Sequence, residues 1–105
     1  MSSAIQSFGA RSGLNILSKT ANYALAITDD IIICNGTFTV TMPTAASALN
    51  KPITIINIGT GVITIARQGS DTFGSETSLE LQPGTSPNHP SVSLIPQGGT
   101  KWYIQ

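Results

Sequence analysis

Apolar and polar residues alternate along most of the chain with the period of two that is typical of β-strands. The run "TFTVTM" places Phe38, Val40 and Met42 on one side and its threonines on the other. Further alternating runs begin near residues 23, 52, 62, 78, 91 and 101, and a wholly apolar run, "IIIC", begins at residue 31. No stretch of about ten residues has helical spacing. The pattern therefore predicts an all-β fold: a compact antiparallel β-sandwich or barrel of about eight short strands.

Two glycine-containing turns suggest how these strands connect. Asn35-Gly36 supplies the residue pair that a type I′ turn favours, which predicts a hairpin of residues 31–34 and 37–42. The tripeptide Gly-Thr-Gly at 59–61 predicts a second hairpin, which joins residues 52–58 to 62–66. Both predictions place sequential strands side by side in one antiparallel sheet.

The remaining segments connect or complete the strands. The small residues of "TAASALN" are compatible with a single helical turn, for which Thr44 is a plausible N-cap. Phe73 is the apolar residue of a polar loop and is expected to plug the core. The segments 91–96 and 101–105 are predicted to form a last hairpin.

Residues 1–20 differ in composition from residues 21–105, so we divide the chain into an N-terminal arm and a single β-domain. Glycines interrupt the arm, and it contains bases but no acids. Two interpretations have equal weight: a strand that lies on its own domain, or a segment that docks on a partner. The candidate docking residues are Ile5, Phe8, Leu14, Ile16 and Leu17, with Arg11 and Lys19 as positive charges.

Composition favours association with other proteins. Of 105 residues, 25 are Ser or Thr, only 10% are charged, and the formal net charge is zero, which does not oppose association. The bases are scattered, so we expect no nucleic-acid binding. No stretch approaches the roughly 20 apolar residues of a membrane span, and the N-terminus lacks the pattern of a signal peptide, so we expect no membrane association.

The residues that could carry chemistry are few. His89 is the one histidine and lies between prolines in a predicted turn, where we expect it to be exposed. Asp29 and Asp30 are adjacent and favour a turn over a catalytic pair. Cys34 follows three isoleucines and is expected to pack as a small apolar residue. We therefore expect no catalytic residues, no metal site and no cofactor.

The C-terminal "WYIQ" admits two interpretations. Trp102 and Tyr103 could form a platform on which carbohydrate stacks, but neighbours on a strand point to opposite faces. We favour the interpretation in which one ring closes the core and the other lies outside.

The order of motifs from residue 37 to 105 resembles a small β-module of tailed-bacteriophage virion proteins. The resemblance lies in "FTVTMPTAAS", "KPITIINIGTG", "GSDTFGSE", "LQPG" and the closing "GGTKWYI". Phe73, where the module has an aliphatic residue, and the longer turn "PNHP" depart from it. The resemblance carries no catalytic residues.

The resemblance implies a virion structural protein. Because the module here has only a short arm before it, the expected role is a capsid decoration, or cement, protein on the outer surface of the assembled head, made in the host cytoplasm. The implied partner is the major capsid protein, and the implied state is a homotrimer. The alternative is a tail or head fibre, or a receptor-binding module that recognises glycans through Trp102, Tyr103 or residues 67–77.

Overall fold

The computed structural model describes residues 14–48, 50–84, 89–97 and 99–105. Within these ranges the chain forms short strands and a single turn of 3-10 helix, Ala45–Ala48. The strands are β1 Ile16–Lys19, β2 Tyr23–Ala24, β3 Ile31–Cys34, β4 Phe38–Thr41, β5 Ile53–Asn57, β6 Ile63–Ala66, β7 Thr72–Phe73, β8 Ser78–Leu81, β9 Ser91–Pro96 and β10 Lys101–Ile104. The predicted helical turn is confirmed, and no helix in the described ranges has the length and apolarity needed to cross a membrane.

The strands form two mixed sheets around one core, which confirms the predicted all-β class. The larger sheet has the order β1-β3-β5-β9-β10-β7, and the smaller has the order β2-β4-β6-β8. The sheets contain parallel pairs as well as antiparallel ones, so the expectation of purely antiparallel pairing was wrong.

From β1 to β6, successive strands alternate between the two sheets. β1, β3 and β5 are parallel neighbours in the larger sheet, and β2, β4 and β6 are parallel neighbours in the smaller. The chain from β1 to β6 is thus wound in coils, and each coil contributes one strand to each of the two sheets. The predicted hairpins at Asn35-Gly36 and Gly59–Gly61 are therefore wrong: both turns are corners between sheets.

Backbone geometry explains why Asn35-Gly36 does not close a hairpin. A type I′ turn needs positive φ at both central residues. Gly36 has φ of 140°, but Asn50 is the one non-glycine with positive φ in the described part of the chain. The chain therefore crosses to the opposite sheet after β3, and Phe38 and Val40 enter the core from that side.

The corners of successive coils lie too close together for side chains between them. A Cβ atom added to Gly61 would lie 2.6 Å from the carbonyl oxygen of Gly36, and one on Gly59 would lie 3.0 Å from the Gly36 nitrogen. A Cβ on Gly84 would lie 2.8 Å from Cδ of Pro90. These glycines are required by close approach of the backbone.

Buried Asn57 holds the corners together through its side-chain amide. Its Nδ2 atom lies 2.9 Å from the Gly61 oxygen, 3.1 Å from the Leu81 oxygen and 2.9 Å from the Gln82 oxygen. Its Oδ1 atom accepts a hydrogen bond of 3.1 Å from the Gly59 amide. One side chain thus hydrogen-bonds to backbone groups of two turns, the one after β5 and the one after β8.

The C-terminal part of the chain adds the antiparallel pairs of the fold, and β7 pairs with β10 in parallel. β9 pairs with both β5 and β10, and β8 pairs with β6. The predicted hairpin of 91–96 and 101–105 is confirmed. Trp102 and Phe73 are fully buried side by side, and Tyr103 is exposed, which confirms the predicted plug and the predicted division of the two C-terminal rings.

Cys34 packs in the core as predicted, and burial raises the pKa of its thiol to about 11. We expect the folded protein to resist thiol reagents at about pH 8 and the urea-unfolded protein to react readily. Because the folded pKa is above the ordinary value of 9.0, the stability that Cys34 contributes is complete below pH 9.0 and is lost as the pH rises towards about 11. Cys34→Ala should remove the part of the stability loss at alkaline pH that ionisation of this thiol causes. Rapid labelling of the folded chain would contradict this account.

Candidate functional site

The predicted docking residues divide between the described and undescribed parts of the chain. Ile5, Phe8 and Arg11 lie outside the described residues. The other four lie on or beside β1, which is an edge strand of the larger sheet and pairs in parallel with β3. The described end of the arm is therefore a strand on its own domain, which is one of the two interpretations of residues 1–20.

The four described candidates differ in exposure. Leu14 is 65% exposed and Ile16 is 52% exposed, whereas Leu17 points inward and packs against the core. Lys19 is half-buried, and its Nζ atom lies 4.1 Å from the centre of the Tyr23 ring, a cation–π contact. Leu14 and Ile16 are thus the described candidates best placed to contact a partner.

A cluster of polar residues, which we call the polar anchor, fixes the start of β1. It consists of Asn15, Tyr23, Asp29, Asp30 and Lys51. The Asn15 amide donates a hydrogen bond of 2.7 Å to Oδ2 of Asp30, and the Asn15 carbonyl accepts from the Asp30 amide at 3.0 Å. The backbone of Asn15 therefore binds Asp30 both as a hydrogen-bond donor and as an acceptor.

Asp29 is the buried centre of the polar anchor. Its Oδ2 atom accepts hydrogen bonds from the Tyr23 hydroxyl at 2.7 Å and from the Ala26 amide at 2.9 Å. Its Oδ1 atom lies 3.3 Å from Nδ2 of Asn15. The hydrogen bond to this carboxylate raises the pKa of Tyr23. Several donors around one carboxylate compensate its removal from water.

Lys51, which lies two residues before β5, is the cation of the polar anchor. Its Nζ atom donates to the carbonyl oxygen of Asp29 and lies 2.9 Å from Oδ1 of Asp30. The Asn15 amide, and then Lys51, hold the pKa of Asp30 below its ordinary value. The stability that Asp30 contributes is therefore present above its ordinary pKa of 3.8 and is lost as the pH falls through its lower, folded value.

The sequence prediction assigned Asp29 and Asp30 to a turn, and it missed their contacts with Asn15 and Lys51. These partners are 14 to 22 residues away in sequence, so local pattern does not reveal them. A signal was nevertheless present, because adjacent acids before an uninterrupted apolar run must find donors if the run is buried.

The remaining chemical candidates do not converge on a site. His89 is exposed, as predicted. Asp71 is buried, and its Oδ2 atom accepts a hydrogen bond of 2.8 Å from the amide of Ala45, which is 26 residues away in sequence. Asp71 therefore caps the start of the 3-10 turn. Across the residues that the structure describes, no three His, Cys, Asp or Glu side chains are grouped so that they could hold a metal ion. The strongest candidate site is therefore a contact surface at the edge strand.

Comparisons of the chain with protein-family models, with curated proteins and with solved structures returned no match.

Proposed function

We propose that this chain is a structural protein of a tailed-phage virion: a capsid decoration protein that binds the outside of the assembled head and stabilises it. The observation that carries the proposal is the exposure of Leu14 and Ile16 at the start of an edge strand whose position the polar anchor fixes. Apolar side chains held on a rigid edge lose little freedom when a partner covers them. The order of motifs from residue 37 onward supports the same class.

The proposed partner is the major capsid protein. Residues 1–13 precede the edge strand in sequence and contain Ile5 and Phe8, which would extend the apolar contact, and Arg11, which would complement an acidic shell. Three copies around a threefold or quasi-threefold position would each contribute one such contact. A ligand that binds the assembled shell and not the free subunits stabilises the shell by mass action, so the proposed function requires no catalysis.

The alternative of a glycan-binding module is weaker on one count. Trp102 is fully buried between β7 and β9, so it cannot stack on a sugar while the last hairpin is intact. Tyr103 is the exposed ring of the pair, 45% exposed, and remains available for such a role. A glycan array in which Tyr103→Ala abolishes saturable binding would favour the alternative.

The proposal is tested by sedimenting the purified chain with capsids of its phage and counting bound copies. Hundreds of copies per particle are expected for a decoration protein, because the contact repeats over the whole shell. A few copies per particle would indicate a fibre instead. No co-sedimentation at concentrations far above those of the capsid sites would overturn the proposal.

A further inference from the structure

The edge strand β1 directs part of its backbone away from the larger sheet. The carbonyl oxygens of Asn15 and Lys19 accept hydrogen bonds of 3.2 Å and 3.1 Å from amides of β3 and of the residue that follows it. Backbone groups of successive strand residues point to alternate sides, so those of Ile16 and Ser18 point away from β3. Across the described ranges, no strand pairs with β1 on that side. Ile16 and Ser18 therefore each present one amide and one carbonyl group at the edge.

The other three edges of the two sheets are protected against the addition of a strand. β2 and β7 have only two residues each. β8 has four residues, but its exposed outward positions include the charged side chain of Glu80. Short edge strands and charged side chains are devices by which proteins keep further strands away from a sheet edge.

β1 has neither form of protection. It has four residues and no acid, and the Nζ atom of its one base, Lys19, lies 4.1 Å from the centre of the Tyr23 ring. The side chains beside its outward backbone groups are Ile16 and Ser18, which are exposed and uncharged. β1 thus has the length and the side chains of an edge that accepts a further strand.

We propose that an extended segment of the partner protein adds to β1 as a further strand of the larger sheet. This inference rests on the proposed function, because the major capsid protein is the partner that would supply the segment. Main-chain hydrogen bonds to Ile16 and Ser18 provide affinity in this mode of binding, and the alternate side chains of the segment provide specificity. The polar anchor already holds the start of β1 on the body, so the partner does not have to order this strand.

The strand on the inner side of β1 shows which side chains suit the added segment. β3 is apolar at every position. Ile31 lies across from Ile16, and the next residue of β3 lies across from Leu17. A strand on the outer side would lie beside the same Ile16 and Leu17, which are on opposite faces of the sheet. The partner segment should therefore be apolar at consecutive positions, as β3 is.

Amide hydrogen exchange of the full wild-type chain, measured residue by residue with and without purified capsids, tests the proposal directly. The amides of Ile16 and Ser18 should exchange rapidly in the free chain, and binding to capsids should slow their exchange at least roughly tenfold. The Leu17 amide faces β3 and should be protected in both states. Unchanged exchange of Ile16 and Ser18 in the capsid-bound chain would contradict strand addition.

The same measurement distinguishes the partner from two other occupants of the edge. Protection of the Ile16 and Ser18 amides in the free chain at every concentration would mean that residues 1–13 of the same chain cover β1. Protection that increases with protein concentration in the absence of capsids would mean that a second copy covers it. Either result would overturn the proposal.

Two matched proline variants test the role of the outward backbone groups in capsid binding. Ser18→Pro removes an outward amide but no hydrogen bond to β3, and its ring would occupy the space of an added strand. It should weaken capsid binding at least roughly tenfold. The control is Ser78→Pro, the same change at an exposed serine of the edge strand β8. Ala66 lies across from Ser78 and accepts from the Met42 amide on its other side, so the Ser78 amide also points outward.

The outcomes of the capsid experiment separate this inference from the proposed function. Ser78→Pro should bind capsids like wild type. If the wild type and a folded Ser18→Pro chain bind capsids equally, strand addition is wrong and the capsid proposal stands. If the wild type does not bind capsids, the capsid proposal fails, and strand addition by that partner fails with it. If Ser18→Pro does not fold, the exchange measurement on the wild-type chain decides between the same outcomes.

Discussion

Replacing Asn57 by Asp is expected to lower the free energy of unfolding by roughly 3 to 5 kcal/mol. The substitution keeps the size of the side chain and removes the donor that lies within 3.1 Å of the Leu81 and Gln82 carbonyl oxygens. It places a carboxylate against these oxygens in a site that is closed to water. The loss should appear as a lower midpoint in urea denaturation followed by the fluorescence of Trp102.

The matched control for this experiment is Asn22→Asp. Asn22 accepts a hydrogen bond of 2.8 Å from the Thr39 amide at an exposed position, and an aspartate can accept it equally well. Its effect should be within about 0.5 kcal/mol of wild type. Equal effects of the two substitutions would mean that Asn57 does not connect the corners as described.

The second large effect is expected at Asp29, the buried carboxylate of the polar anchor. Asp29→Ala removes the acceptor of the Tyr23 hydroxyl and the Ala26 amide and should cost roughly 2 to 4 kcal/mol. β1 should lose protection from amide hydrogen exchange before the central strands do, because its start is no longer fixed.

Two further substitutions distinguish loss of the Asp29 hydrogen bonds from a general loss of folded structure. Asp29→Asn retains one acceptor oxygen and should be milder than Asp29→Ala. Thr28→Ala changes an exposed neighbour whose contact with Asn15 uses its carbonyl group, so it should be nearly neutral. Unchanged exchange in residues 16–19 of folded Asp29→Ala would show that the polar anchor does not hold the edge strand.

The sequence predicted where strands form but not which sheet each joins. Alternation in "TFTVTM" and "SLEL" identifies β4 and β8, because an inward apolar face is needed in either sheet. Since both sheets enclose the same core, the same alternation serves a hairpin and a corner. The decision between them rests on the stacking of Gly61 beneath Gly36 and on the bonds of Asn57, which are contacts between distant residues.

The sequence also predicted only part of the candidate site. The apolar content of the arm indicated a contact region, and Leu14 and Ile16 are exposed as such a region requires. The pattern did not distinguish the outward Ile16 from the inward Leu17, because their positions depend on the register with β3. The polar anchor could not be predicted from local pattern, since its residues come from four separate segments.

The edge strand connects the structural account to the proposed function. The polar anchor fixes β1 on the body, and Leu14 before β1 and Ile16 within it are exposed, whereas Leu17 packs against the core. If residues 1–13 bind the shell, β1 would connect that contact to the two-sheet body.

The most direct measurement is the affinity of the chain for purified capsids after Leu14→Ser and Ile16→Thr are combined. These changes remove exposed apolar side chains without touching the core, and their matched control is Thr39→Ser combined with Thr41→Ser on the opposite sheet. The account predicts that the first variant binds capsids at least roughly tenfold more weakly and that the control binds like wild type. Undiminished binding by a folded Leu14→Ser/Ile16→Thr chain would contradict it.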